Sequence, residues 1–215
     1  MKIAVLSDIH GNHYALSEVL KIARKEKIEK LLVLGDLVGY YYHPDKVLEM
    51  LSEWDYILIK GNHEKMLSQL LLKNIQESDI RNKYGSGHFL ALEKLSEEQL
   101  NTLITAPDQK EVVLDKVKIL MCHGSPLDPD LYLYPDSENE LFDKCDAVDM
   151  DFVLIGHSHY SFIYRNKNST LVNVGSVGQS RNMGGVAYWG VINTKNKCFE
   201  QKATPYDVSP LVKEV

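Results

Sequence analysis

The chain has 215 residues and a net charge of −6, with 24 Lys and Arg residues against 30 Asp and Glu residues. This length fits one domain, and the acidic balance excludes the basic surface that stable binding to a nucleic-acid duplex requires. Neither a membrane span nor a secretory signal is recognisable and the three Cys have no paired spacing, so we expect reduced, buried thiols in a cytoplasmic protein without membrane contact.

Strands and helices alternate in the first 60 residues. A short apolar run at 2–7 predicts a strand, and an apolar stripe within 13–25 predicts an amphipathic helix. A second strand is expected at 30–34, a helix from Pro44, and a third strand at 56–59. This alternation predicts parallel strands joined by crossover helices, and therefore an α/β sheet covered on both faces.

The middle third, from about residue 64 to 105, has a helical pattern that the turn Gly85-Ser86-Gly87 divides in two. We predict a helical insertion here, and capping boxes at Ser96–Gln99 and Ser137–Glu140. The later chain is rich in strands, and three hairpins are expected, at 111–121, 161–174 and 186–204. Since neither a repeat nor a linker is visible, residues 1–215 are predicted to form a single domain.

Polar blocks follow the apolar runs at five places. They are Asp8-Ile9-His10, Gly35-Asp36, Gly61-Asn62-His63-Glu64, His123-Gly124 and Gly156-His157-Ser158-His159, and a loop from Gly175 to Arg181 follows. One block alone would predict a turn or a helix cap. Because parallel strands end side by side, the five together predict convergence into a dinuclear metal site. Ligation by His, Asp and Asn without thiolate is typical of Mn, Fe, Zn, Co or Ni.

The ordered motifs DxH, GDxxG, GNHE, HG and GHSH resemble the signature of the calcineurin-like metallophosphoesterase superfamily, in particular its small bacterial and archaeal phosphodiesterase-type subgroup. The resemblance extends from Asp8 to Arg181. It implies a four-layer α/β/β/α sandwich with two mixed β-sheets and a dinuclear metal site at the carboxyl ends of the strands. It also implies hydrolysis of phosphodiester or phosphomonoester bonds by a hydroxide that bridges the two metals.

The resemblance further assigns roles to single residues. Asp36 would bridge two ions, of which one is held by Asp8, His10, Asp36 and His159 and the other by Asp36, Asn62, His123 and His157. His63 would be a non-ligand catalytic residue that contacts the phosphate and assists the leaving group, and Asn62 would help to stabilise charge. The implied cofactors are two divalent transition-metal ions, with Mn expected first and Fe, Zn, Ni or Co as alternatives.

Candidate substrate-binding residues are Asn12, Tyr40 and Arg181. Tyr40 belongs to a bulky aromatic loop that would either stack on a nucleobase or cover the sheet edge. Arg181 would either donate two hydrogen bonds to a phosphate or be an ordinary surface residue. The expected partner is a small, nucleotide-like phosphorylated substrate, such as a nucleotide or a dinucleoside polyphosphate. The remaining histidines, His13, His43 and His88, are expected on the surface or on helix faces.

Two other functions are compatible with these motifs. Some relatives of this fold lose catalytic residues and act as non-catalytic scaffold subunits, and others are protein Ser/Thr phosphatases. The complete ligand set with His63 favours an enzyme over a scaffold, and the short chain favours a small substrate over a protein. The physiological substrate, the native metal pair and the oligomeric state are left open.

Overall fold

The structure is a computed structural model that describes residues 1–214. Its first elements are β1 (Lys2–Leu6), α1 (His13–Lys25), β2 (Lys30–Val33), α2 (Pro44–Ser52) and β3 (Tyr56–Leu58). Four helices follow: α3 (Asn62–Leu71), α4 (Glu77–Tyr84), α5 (Gly87–Lys94) and α6 (Glu97–Thr105). The remaining elements are β4 (Gln109–Leu114), β5 (Val117–Cys122), α7 (Asn139–Lys144), β6 (Phe152–Ile155), β7 (Ser161–Arg165), β8 (Thr170–Val174), β9 (Val186–Asn193), β10 (Cys198–Pro205) and α8 (Ser209–Glu214).

The strands form two mixed sheets of five strands each. The strand order is β10-β9-β1-β2-β3 in the first sheet and β4-β5-β6-β8-β7 in the second. The strands β1, β2 and β3 pair in parallel, as do β5, β6 and β8. The three predicted hairpins are confirmed, because β4 pairs antiparallel with β5, β7 with β8 and β9 with β10. Antiparallel strands form both edges of the second sheet and one edge of the first, whose other edge is the parallel strand β3.

Alternation of side chains along the central strands produces four layers. In β1, Leu6 packs in the cluster that includes α1 and α2, whereas Val5 packs in the cluster between the two sheets. In β6, Leu154 faces the first sheet, whereas Val153 packs with Phe142 of α7 on the outer face. Helices therefore cover both outer faces, and the predicted α/β/β/α sandwich is confirmed.

The two predicted capping boxes have different outcomes. The first is confirmed: Ser96 Oγ accepts from the N–H of Gln99 at 3.2 Å, and the Gln99 side chain accepts from the N–H of Ser96 at 2.9 Å. The second is wrong, because α7 begins at Asn139 and lacks a side-chain cap. The hydroxyl of Ser137 instead accepts from the N–H of Tyr134 in the preceding turn, so the serine is no longer available to the helix.

The three cysteines lie in different environments. Cys122 and Cys145 are buried as expected, but Cys198, the first residue of the edge strand β10, is exposed. The expectation of a buried thiol is therefore wrong for Cys198. Within residues 1–214, every helix is too short or too polar to cross a membrane.

Candidate metal centre

Buried acidic and imidazole side chains from the ends of four strands converge at one end of the sandwich. One group consists of Asp8, His10, Asp36 and His159, and a second group consists of Asp36, His123 and His157. In each group, one ligand atom per residue lies within 4.8 Å of the corresponding atoms of the others. Asp36 belongs to both groups, which is the arrangement that the sequence predicts for a bridging ligand.

The first group is packed around the carboxylate of Asp8. Nε2 of His159 lies 3.2 Å from Oδ1 of Asp8 and 3.1 Å from Nε2 of His10. Oδ2 of Asp36 lies 3.8 Å from the same nitrogen of His10. The Asp8 oxygen is buried and has no ordinary hydrogen-bond partner among the described residues. A buried carboxylate oxygen without a donor is the kind of atom that a cation satisfies.

The second group continues from the other side of Asp36. Nε2 of His123 lies 3.2 Å from Oδ2 of Asp36 and 3.0 Å from the amide oxygen of Asn62, which extends the group. Nε2 of His157 contacts the carbonyl oxygen of Asp130 at 3.2 Å. The Nδ1 atom of His157 is therefore the nitrogen that remains for a metal ion.

In three of the imidazoles, the ring nitrogen that points away from the carboxylates shows why these residues fit cations. Nδ1 of His10, His123 and His159 each lies 2.7–3.0 Å from a backbone carbonyl, those of Val38, Leu34 and Gln179 respectively. A carbonyl can only accept, so each Nδ1 carries a proton, and each Nε2 points toward the carboxylates with a lone pair there whenever the ring is neutral. Lone pairs and carboxylates in such contact repel one another unless positive charge lies among them.

The pKa values of the second group follow from the same electrostatics. Burial acts to lower the pKa of His123, but the charge and hydrogen bond of Asp36, the charge of Asp8 and the carbonyl of Leu34 together raise it to about 10. Burial acts to raise the pKa of Asp36, but His123 and His63 hold it well below its usual range. Protons and metal ions therefore compete for the same lone pairs, and binding of a cation releases protons.

The backbone around the centre adopts an uncommon conformation. Five of the predicted ligands, Asp8, His10, Asp36, His157 and His159, have φ between 52° and 65°. For residues other than glycine this left-handed region costs about 1–3 kcal/mol, and it persists where the surroundings impose it. The loops after β1 and β2 impose it on each other, since the N–H of His10 donates to the carbonyl of Asp36 at 2.9 Å. The strain turns the ligands toward a common centre.

Glu64 belongs to the predicted block Gly61-Asn62-His63-Glu64, but the sequence motifs assign it no role. Its buried carboxylate accepts from the backbone N–H groups of Asp36, Leu37 and Gly61 at 2.7–2.8 Å. Burial first, and then the charge of Asp36, raises the pKa of Glu64 to about 7, although these hydrogen bonds oppose the shift. Glu64 ties the end of β2 to the start of α3, and its position in the first helical turn is the signal in the sequence.

His63 lies beside the two ligand groups and outside both of them. Its backbone N–H donates to Oδ1 of Asp36 at 2.9 Å. Its ring centroid lies 4.7 Å from that of His10 and 4.9 Å from that of Tyr40. Burial lowers the pKa of His63 well below its usual value. This placement next to the metal centre agrees with the predicted role of a non-ligand residue, which stays a prediction.

His88 lies on a helix, as expected, but it is fully buried and packs on His63. The two rings are stacked, with centroids 4.9 Å apart and planes 10° apart. The approach depends on small neighbours: a Cβ added to Gly87 would lie 2.6 Å from the backbone of Gly39 and Tyr40. The helical segment therefore reaches the metal centre through His88, a contact that links positions far apart in sequence.

The three candidate substrate-binding residues have different surroundings. Asn12 is buried: its side chain accepts from the N–H of Ala15 at the start of α1 and donates to the carbonyl of Gly178 and the hydroxyl of Tyr206. These hydrogen bonds hold the backbone together and use both N–H groups of the Asn12 side chain. No donor of Asn12 is then free for the predicted contact with substrate. Tyr40 is half-buried against His63, and Arg181 is exposed, with its guanidinium 3.4 Å from the carbonyl oxygen of Ser158.

Comparisons with known proteins agree with this geometry. The family model of the calcineurin-like phosphoesterase superfamily domain matches residues 1–197. The chain is 29% identical over 231 aligned residues to an uncharacterized protein of Methanocaldococcus jannaschii, covering 99% of this chain and 91% of that protein.

Two solved structures share the fold. A hypothetical protein from Pyrococcus horikoshii OT3 has a TM-score of 0.86 at 21% identity, covering 99% of this chain and 90% of that chain. A metallophosphoesterase from Sphaerobacter thermophilus has a TM-score of 0.80 at 21% identity, covering 100% of this chain and 92% of that chain. With the family model extending over every metal-binding block, the chain belongs to the calcineurin-like phosphoesterase superfamily.

Proposed function

We propose that this protein is a metal-dependent phosphoesterase that hydrolyses phosphodiester or phosphomonoester bonds in a small, nucleotide-like substrate. The single observation that carries this proposal is the pair of buried ligand groups joined by Asp36. Membership of the superfamily supports a hydrolase. The complete ligand set, with a buried His63 beside it, favours catalysis over a scaffold role.

Each of the two ligand groups would hold one divalent cation. The residues that would bind them are Asp8, His10, Asp36 and His159 on one side and Asp36, Asn62, His123 and His157 on the other. When bound, two such ions supply Lewis-acid charge to the phosphoryl oxygens and a water of lowered pKa. We propose two manganese ions as the native metals, with Fe, Zn, Ni and Co as alternatives.

The protein's own groups would handle the charge that develops on the substrate. The imidazole of His63 would donate to the leaving oxygen, and the amide of Asn62 would help to orient the phosphate. The exposed Arg181 would contact a phosphate oxygen. Cys122 precedes His123 but is a poor nucleophile, because burial raises the pKa of its thiol to about 12. Direct attack by water is therefore the proposed route.

Metal removal tests this function. The protein would be treated with a chelator, its metal content measured, and hydrolysis followed with bis(4-nitrophenyl) phosphate, a monoester, a cyclic nucleotide and a dinucleoside polyphosphate. We expect activity to vanish and to return with Mn²⁺, while circular dichroism shows that the fold remains. Full activity after verified removal of metal would contradict the proposal.

A further inference from the structure

A cleft of about 500 Å³ opens beside the second ligand group. Asn62 and His157 lie on its inner wall, and the rest is formed by α3, α4 and the loop around residues 130–132. Its volume lies within the range of small-molecule sites. A phosphate at the metal centre would leave this cleft open, so the cleft is available to the organic substituent of a phosphate ester.

The lining of the cleft is mainly apolar and aromatic. Met66 and Ile80 lie on the helical side, and the rings of Tyr84 and Tyr132 lie nearest to the metal centre. The Tyr132 ring is 3.8 Å from the ring of His157, yet 43% of this tyrosine is exposed. The ring of Tyr132 therefore extends from a predicted metal ligand to the open cleft.

Tyr84 has the corresponding position on the side of His63. Its ring meets the ring of His63 edge to face, with centroids 5.1 Å apart, and it also meets Tyr40 at 5.9 Å. Two aromatic surfaces thus lie where the first atoms beyond a bound phosphate would be. Such surfaces bind flat, conjugated groups by stacking.

The rim of the cleft adds a few polar groups. Gln69, Asp79 and Lys83 are exposed side chains around its mouth. They offer both donors and acceptors, as the edge of a nucleobase requires. An alkyl substituent could pack on the aromatic faces but would leave these polar groups unused, whereas a heteroaromatic base would use both.

We propose that this cleft binds the nucleoside of a nucleotide ester whose phosphate lies at the metal centre, with Tyr84 and Tyr132 as the stacking residues. The inference rests on the proposed function, because it uses the metal centre as the phosphate site. It gives the long segment between β3 and β4 a role in choosing the substrate.

Calorimetric binding to the Mn-loaded protein tests the assignment, with adenosine monophosphate compared with methyl phosphate and hexyl phosphate. Base stacking on an aromatic side chain is worth about 1–3 kcal/mol, so we expect adenosine monophosphate to bind at least about fivefold more tightly than methyl phosphate. Tyr132→Ala should remove most of this preference, and Tyr132→Phe should keep it. Val113→Ala, an exposed change on the edge strand β4, serves as the control. Chromatography would verify that the ligands remain intact.

Several outcomes would overturn the assignment. These are equal affinities for adenosine monophosphate and methyl phosphate, hexyl phosphate binding as tightly as the nucleotide, or an unchanged preference in metal-loaded Tyr132→Ala. If Tyr132→Ala loses metal, Tyr84→Ala decides by the same criterion, because Tyr84 contacts His63 and not a predicted ligand. Failure of the proposed function is seen separately, as absence of phosphate-ester hydrolysis by the metal-loaded protein whatever its binding preference.

Discussion

The metal centre and the helical wall beside it, which consists of α4 (Glu77–Tyr84) and α5 (Gly87–Lys94), are built in different ways. At the centre, ligands follow strand ends, and their loops are joined by backbone hydrogen bonds and by the carboxylate of Glu64. In the wall, the packing is much lighter: among the eight described residues of α4, Ile80 alone is buried. The following Gly85 has φ of 71° and lies in open space.

This difference separates two tasks within one site. Chemistry at a pair of metal ions needs ligand positions held to within a fraction of an ångström, and hydrogen-bonded strand ends provide that precision. Substrate choice requires only a surface of suitable shape, which lightly packed helices can change without disturbing the ligands. Substitutions in the metal centre should therefore reduce metal binding or turnover, whereas substitutions in the helical wall should change the choice of substrate.

The largest expected effect is that of Asp36→Ala. This carboxylate contacts both ligand groups and also accepts from the N–H of His63, so its removal should reduce metal content from about two ions per chain to near zero and abolish activity. His159→Ala should mainly remove one metal ion, the one held by the first ligand group. Elemental analysis of both variants measures the difference, and equal metal loss would contradict the bridging role of Asp36.

His63→Ala should have a smaller effect that leaves the metals in place. A positioned acid or base group contributes about 10²–10⁴-fold, so turnover should fall within that range. The loss should be smaller for nitrophenyl esters than for alkyl esters, because nitrophenolate leaves without a proton. Steady-state kinetics with both ester types, together with metal analysis, would check this. A variant that loses metal would make His63 a ligand.

The same contrast explains what could be predicted from the sequence. The strand at 2–7 and the helix at 13–25 depend on local periodicity, and both are observed, the helix at the predicted bounds. The convergence of Asp8 and Asp36 follows once β1 and β2 are parallel neighbours, because their carboxyl ends then adjoin. His157 follows β6 of the second sheet, so its approach also requires the two sheets to pack face to face. The predicted roles of single ligands remain predictions.

Other features depend on contacts that local patterns do not encode. The left-handed backbone at His10 follows from its hydrogen bond to the neighbouring loop, and such a conformation is rare for a residue that is not glycine. The cap expected at Ser137 fails because a competing turn uses the same hydroxyl. The burial of His88 requires α5 to meet the backbone of Gly39, almost 50 residues earlier in the chain.

The smallest expected effect is that of His88→Ala, where α5 of the helical wall packs on His63. Its ring stacks on His63 without reaching the ligand groups, so its loss should loosen His63 while metal content remains. An aromatic pair is worth about 0.5–1.5 kcal/mol, which corresponds to a fall in kcat of about 2- to 12-fold. KM should change little, because His88 is fully buried and cannot contact substrate.

His88→Phe keeps a flat ring and should restore most of the turnover. If His88→Phe is as slow as His88→Ala, the imidazole nitrogens and not the stack support His63; if His88→Ala turns over like the unsubstituted protein, the wall does not hold the catalytic residue in position.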